Sequence, residues 1–146
     1  MRSLPKVSSM QFNNLVHPTA EQAKAFFSTP EDGPFVMVNL LKFKAKADYA
    51  DGSDADISGF EAYLRYGRKV RHHIVKVGGT PGYSGPVTGL MLGEVEELWD
   101  MIALAEYPSL AAMQEMVQSP DYQEIAKHRD AGLAGQLNIK TKGTLG

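Results

Sequence analysis

Nine consecutive residues, FVMVNLLKF from Phe35 to Phe43, restrict what this chain can fold into more than any other stretch. Successive side chains of a strand point to opposite faces, so a run that is apolar on both parities places both of its faces away from water. WDMIALAEY, from Trp99 to Tyr107, has the same character. An antiparallel sheet with one wet face would instead alternate apolar and polar residues. Asn39 is the one uncharged polar interruption of the first run.

Around these two strands the helix signals are regular. Thr19 and Gln22 have capping-box spacing and open a short helix, AEQAKAFF, ending near Pro30; Ser58 and Glu61 open a second that runs to about Val77 and stops at Gly78-Gly79. Pro108 precedes a helical region, SLAAMQEMV, restarted by Ser119-Pro120 and ending at Gly132. The Gly/Pro-rich segment from Thr80 to Gly93 is expected to hold a strand carrying VTGLML, paired as a hairpin with Trp99–Tyr107, and QLNIKT, Gln136–Thr141, closes the chain as a last strand. The order strand, helix, strand, strand, helix, strand predicts an α+β, ferredoxin-like βαββαβ fold: an antiparallel sheet with helices on one face. Residues 1–33 are assigned to an N-terminal arm and short helix, and 34–146 to the ferredoxin-like domain. Helices cover one face only, so the apolar second face calls for a cover, and the simplest is the same sheet of a second copy. A homodimer whose two sheets close into an α/β barrel is therefore expected.

Composition narrows the function classes. Fifteen Lys and Arg against 17 Asp and Glu give a net charge of −2, which disfavours general nucleic-acid binding, since that rests on many phosphate-neutralising cations. No cysteine is present, which excludes disulfides, thiolate nucleophiles and Cys-ligated zinc. The opening MRSLPKVSSMQFNNLV lacks the apolar core of a signal peptide and no segment approaches a membrane span, so a soluble cytoplasmic protein without membrane contact is expected.

The most eye-catching stretch, RYGRKVRHHIVKVGG, reads as a helix with a wet face: Arg65, Arg68, Lys69, His72 and Lys76 cluster opposite an apolar stripe of Phe60, Tyr63, Gly67, Val70, Ile74 and Val77. Adjacent histidines diverge by about 100°, unlike the four-residue spacing that lets two reach one ion, so no metal is expected. Gly78, Gly79, Gly82 and Gly85 follow a helix instead of opening one and read as caps and turns. GYSGP misses the nucleophile-elbow spacing, and DGSDAD lacks the alternation of a calcium loop. The surrounding polar loop, Lys44 to Ser58, is long enough to suggest a lid, a partner contact or a mobile flap.

Arg129 resists a bland reading. Tyr122, Ile125, Arg129 and Leu133 share one helix face, which puts a guanidinium in the stripe that packs on the sheet. A buried arginine keeps its charge and requires an accepting partner. Glu106, at the end of the third strand, offers an internal one and makes a structural staple. In the rival reading Arg129 faces a cavity and receives a ligand carboxylate or enolate, with Asn39 and Tyr66 supplying neutral hydrogen bonds and His73 flanking the same pocket.

YGRKV, the Gly-Gly pair and AEYPSLAAMQEMVQSPDYQEIAKHRDAGL together resemble the domain of unknown function 1330 family, within the dimeric α/β-barrel superfamily that includes small cofactor-free monooxygenases. The resemblance runs from about Phe35 to Thr141, its most specific part being Glu106-Tyr107-Pro108-Ser109, Ser119-Pro120-Asp121-Tyr122 and Arg129; the long loop before Ser58 and the N-terminal arm depart from it. It implies a homodimer with no cofactor, binding a small acidic or aromatic ligand at Arg129, Asn39 and Glu106. If the chain is an enzyme, the resemblance implies oxygenation or isomerisation of a compact, enolisable or aromatic acid, with Arg129 holding the developing negative charge and His73 or Tyr66 moving a proton. The alternative is a non-catalytic dimeric binding or stress-related protein.

Overall fold

The structure, a computed structural model, describes residues 15–146; most of the N-terminal arm, residues 1–14, lies outside the described residues. Eight elements follow in order: α1 (Ala20–Phe27), β1 (Phe35–Phe43), α2 (Gly59–Lys76), β2 (Thr80–Pro86), β3 (Met101–Tyr107), α3 (Leu110–Gln118), α4 (Pro120–Gly132) and β4 (Leu133–Lys142). The four strands form one antiparallel sheet in the order β2-β3-β1-β4, the ferredoxin-like arrangement. The helix starts follow the capping chemistry: Thr19, Ser58, Ser109 and Ser119 each accept a backbone N–H of the first turn. Among the described residues no helix is long and apolar enough to cross a membrane.

One face of the sheet carries the helices. Phe35, Met37 and Leu41 of β1 and Ala105 and Tyr107 of β3 are buried there, against Ile74 of α2, Leu110 and Met116 of α3 and Ile125 of α4. The opposite parity presents Val38 and Leu40, opposite Leu104 and Ile102 on one side and Ile139 and Leu137 on the other, to the open face. These side chains are half-buried, and Ile139 is 46% exposed. A β-bulge between Lys42 and Phe43 pairs Phe43 with Leu133 and skips Ala134. That single extra residue rotates Leu133 to the helix-covered side, where it is fully buried.

Four local expectations are corrected. The strand in the Gly/Pro-rich segment is TPGYSGP, so Gly82 and Gly85 lie within it, while VTGLML is a loop in which Met91 and Leu92 stand exposed. Gly82 is where it is because a Cβ there would come within 2.9 Å of the Leu104 carbonyl oxygen. β4 begins at Leu133, three residues before the alternating QLNIKT. The Lys44–Ser58 loop is pinned down, not a flap. Ala47 and Tyr49 are buried with Ala62 and Ala131, and the Lys44 and Asp48 N–H groups donate to the carbonyls of Gly132 and Ala131 at 2.8 and 2.9 Å. Dense polar lettering hid two buried side chains that anchor the loop. Arg65, expected on the wet face, is drawn into the same anchor and donates to Asp54 at 2.8 Å and to the Tyr49 hydroxyl at 3.2 Å.

The Tyr49 hydroxyl also lies 2.7 Å from Nδ1 of His128. Since that oxygen already accepts from Arg65, its own proton points to Nδ1, which favours neutral His128. Burial first, then the charges of Lys69, Lys127 and Arg65, lower the His128 pKa, with Glu124 opposing. As pH falls through the ordinary histidine range the unfolded chain takes up this proton first, so stability declines toward acid. Urea midpoints measured between about pH 7.5 and 5 should fall in the wild type. The part of that slope due to His128 should vanish in His128→Gln; an unchanged slope would show that the pairing does not resist protonation.

Candidate functional site

Arg129 reaches the sheet from the last turns of α4, with its side chain 15% exposed. A guanidinium only donates, so its partners must turn oxygens toward it. Nη2 donates to Oε1 of Gln136 at 2.7 Å and to the Val16 carbonyl, and Nη1 donates to Asp130 at 3.2 Å. This fixes the Gln136 amide: its Nε2 donates to Oδ1 of Asn39 at 2.7 Å, and Asn39 Nδ2 donates to the Ala103 carbonyl at 3.1 Å. One polar relay thus crosses from α4 through β4 and β1 to β3. Asp130, the nearest acid, is shared with His17 at 3.2 Å and is itself 41% exposed.

Beside the relay stand three tyrosines. Tyr66 and Tyr122 share a hydroxyl–hydroxyl bond of 2.9 Å, and the Tyr63 and Tyr66 rings lie 5.4 Å apart. Burial, then the neighbouring phenols, raise the Tyr66 pKa well above its ordinary value, and burial does the same to Tyr63, with the charge of Arg129 opposing in both. Both are therefore neutral hydrogen-bonding groups at physiological pH and weak proton movers.

These groups line a cavity of about 580 Å³ between the sheet and the helices. Of the residues picked out from sequence, Asn39, Tyr66 and Arg129 share its wall. His73 does not belong to that wall; its ring meets Tyr122 edge-on at 6.2 Å. Glu106 is not Arg129's partner. Flanked by buried Ala105 and Tyr107, it has the opposite parity, lies across from Val36 on the open face of the sheet, and accepts the Leu145 N–H at 2.7 Å. Gln136 takes the place expected for Glu106, and Asn138, opposite Asn39, lines the cavity beside it. Their signal was present in QLNIKT, whose polar parity faces the cavity and whose apolar parity faces the open side. His72 is exposed, and among the described residues no group of three or more His, Asp or Glu could hold a metal ion.

The model of DUF1330, a domain of unknown function, matches residues 53–140. The chain belongs to the DUF1330 family. Among solved structures, this DUF1330 chain is similar to the RPA0582 protein of Rhodopseudomonas palustris, a protein of unknown function. Identity is 34% over 90% of this chain and 98% of that one, with a TM-score of 0.79. The methylated form of RPA0582 gives 34% identity over 91% and 97%, with a TM-score of 0.80. A dimeric protein of unknown function with a ferredoxin-like fold from Bacteroides fragilis matches at 11% identity over 75% of this chain and 96% of that one, with a TM-score of 0.45. No curated protein matches.

Proposed function

We propose that this DUF1330 protein is a homodimeric binding protein for a small organic acid, the ligand carboxylate being held by Arg129 in the cavity. One observation carries this reading: a largely buried guanidinium faces neutral amides, while the acid nearest to it is half-exposed and shared with His17. Buried charge in that situation is undercompensated, and an incoming carboxylate completes it through charge-assisted hydrogen bonds. Arg129 has five N–H donors, of which three are engaged among the described residues. The remaining two find no acceptor among the described residues and are assigned in this reading to the ligand carboxylate. Asn138 and the Tyr66–Tyr122 pair add neutral polar contacts.

The reaction class that suits such a site is enolate chemistry, oxygenation or isomerisation of an enolisable acid without cofactor. A fixed cation beside oriented amides stabilises an oxyanion. The raised Tyr66 pKa makes that residue a positioning group in this scheme, and with His73 outside the cavity wall proton transfer falls to the substrate itself. A second reading keeps Arg129 as a tie between α4, β4 and residues 15–18, and rests on its bonds to Gln136 and Val16.

Thermal unfolding with and without small carboxylic acids separates the two. At about a hundredfold excess over Kd a ligand specific for the folded state adds about 2.7 kcal/mol, which for a chain of this size raises Tm by roughly 5–10 °C. Arg129→Met, which keeps much of the apolar stem, should abolish that shift while changing the unliganded Tm by only a few degrees. A large loss of stability in the variant, with no acid shifting the wild type, would leave Arg129 as a tie and nothing more.

A further inference from the structure

The cavity is too large, and its far end too apolar, for a compact acid alone. Its volume of about 580 Å³ falls among pockets that enclose drug-sized molecules. The polar relay occupies one end, at Asn39 and its neighbour Ala103 on β3. From there the helix-facing side of β3 continues through Ala105 to Tyr107, both in the cavity wall, about 13 Å further on. Two alanines along this floor leave room that larger side chains would fill. Above them Met113, Met116 and Val117 of α3 and Val70 and Ile74 of α2 complete an apolar channel. Methionine is unbranched and flexible, so such a wall adapts to chains of differing shape. At the polar end the largely buried cation is Arg129, partly offset by Asp130, and it matches one negative charge; Arg71 and Lys127, also in the cavity wall, are exposed to solvent.

We infer that the ligand is an amphipathic monocarboxylic acid, its carboxylate at Arg129 and its unbranched apolar chain lying over Ala103 and Ala105 toward Met113 and Met116. This rests on the acid-binding reading above and names the ligand class for the same cavity.

The test is a calorimetric titration of the full-length protein with straight-chain acids from butanoate to decanoate, with benzoate as the compact comparison. Full burial of each methylene is worth about 0.8 kcal/mol, or about fourfold in Kd, so octanoate, with four more methylenes, should bind about 200-fold more tightly than butanoate. Arg129→Met should weaken every member at least about tenfold, as loss of a charge-assisted contact requires. Met113→Trp, with Val117→Trp as a second variant and melting curves to establish folding, should end the gain at a shorter chain than in the wild type. Arg129-dependent binding that does not tighten with chain length, or benzoate binding more tightly than octanoate, overturns this inference and leaves the acid site standing. Affinities that are undiminished in Arg129→Met at every chain length place the acid on another surface and also overturn it. No binding at any length overturns the acid site itself. Should both tryptophan variants fail to fold, the wild-type series and Arg129→Met still decide.

Discussion

Gly132→Ala is expected to lower the free energy of unfolding by about 3 kcal/mol or more, at the upper end of what overpacking costs. The reason is a backbone-to-backbone crossing of α2 and α4. A Cβ on Gly132 would lie 2.3 Å from the Gly59 carbonyl oxygen and 2.9 Å from the Tyr63 nitrogen. One on Gly59 would lie 2.2 Å from the Lys44 carbonyl oxygen and 2.7 Å from that of Gly132. None of these neighbours is the end of a flexible side chain that could swing aside. Each belongs to main chain held in place by the Gly59–Lys44 and Lys44–Gly132 hydrogen bonds of 3.0 and 2.8 Å. The clash must be relieved by moving a helix. Because Arg129 sits one turn before Gly132 and Tyr63 and Tyr66 one to two turns after Gly59, the same displacement should disturb the cavity. Urea unfolding of Gly59→Ala and Gly132→Ala measures the cost, and a loss below about 1 kcal/mol would mean that the helices can part freely.

Val38→Lys is expected to convert a dimer to monomers. Val38 occupies the middle of the open sheet face, with Leu104 on one side and Ile139 on the other, and is half-buried within a subunit, so lysine is compatible with the folded chain. In a sheet-to-sheet dimer the two copies of residue 38 would be brought out of water near the symmetry axis. Two desolvated ammonium groups without partners cost several kcal/mol, a weakening of a thousandfold or more in the dimerisation constant. Light scattering should give about twice 16.0 kDa for the wild type and 16.0 kDa for the variant. A wild type that is monomeric at micromolar concentration removes the sheet-face dimer. A variant that remains dimeric moves the interface elsewhere.

What could be read in the sequence follows from what repeats locally. β1 is legible end to end because its apolar run is bounded by Pro34 and a lysine-rich loop, α1, α2 and α4 because a threonine or serine cap marks each start, and α3 because it follows Pro108. Arg129 stood out because charge inside an apolar stripe needs a partner. Glu106 has the charge expected of its partner and the wrong parity, and that parity is readable from Ala105 and Tyr107 beside it. Gln136 escaped because a polar residue in a terminal strand is ordinarily placed toward water, whereas β4 reverses that rule by turning Leu137 and Ile139 to the open face. β2 was displaced by some seven residues because TPGYSGP has almost no β propensity. Its strand character comes from pairing with β3, a tertiary effect that a local reading does not contain.

The bulge that skips Ala134 gives the join between α4 and β4 a length that the rest of the strand does not feel. Strand side chains alternate with a period of two, so with Ala134 removed Leu133 directly precedes Gly135 and falls opposite Phe43 in an unbulged ladder. Leu133 then stays on the helix-covered side, and the pairing beyond Gly135 is unchanged. Beyond Gly135 there is no such slack: loss of one residue there exchanges Gln136 and Asn138 with Leu137 and Ile139, stripping the cavity of its amides and the open face of its apolar cover in a single step. Variation among related chains should therefore be asymmetric: replacement or loss of residue 134 is compatible with the architecture, whereas a one-residue deletion within the regularly paired part of β4 is not.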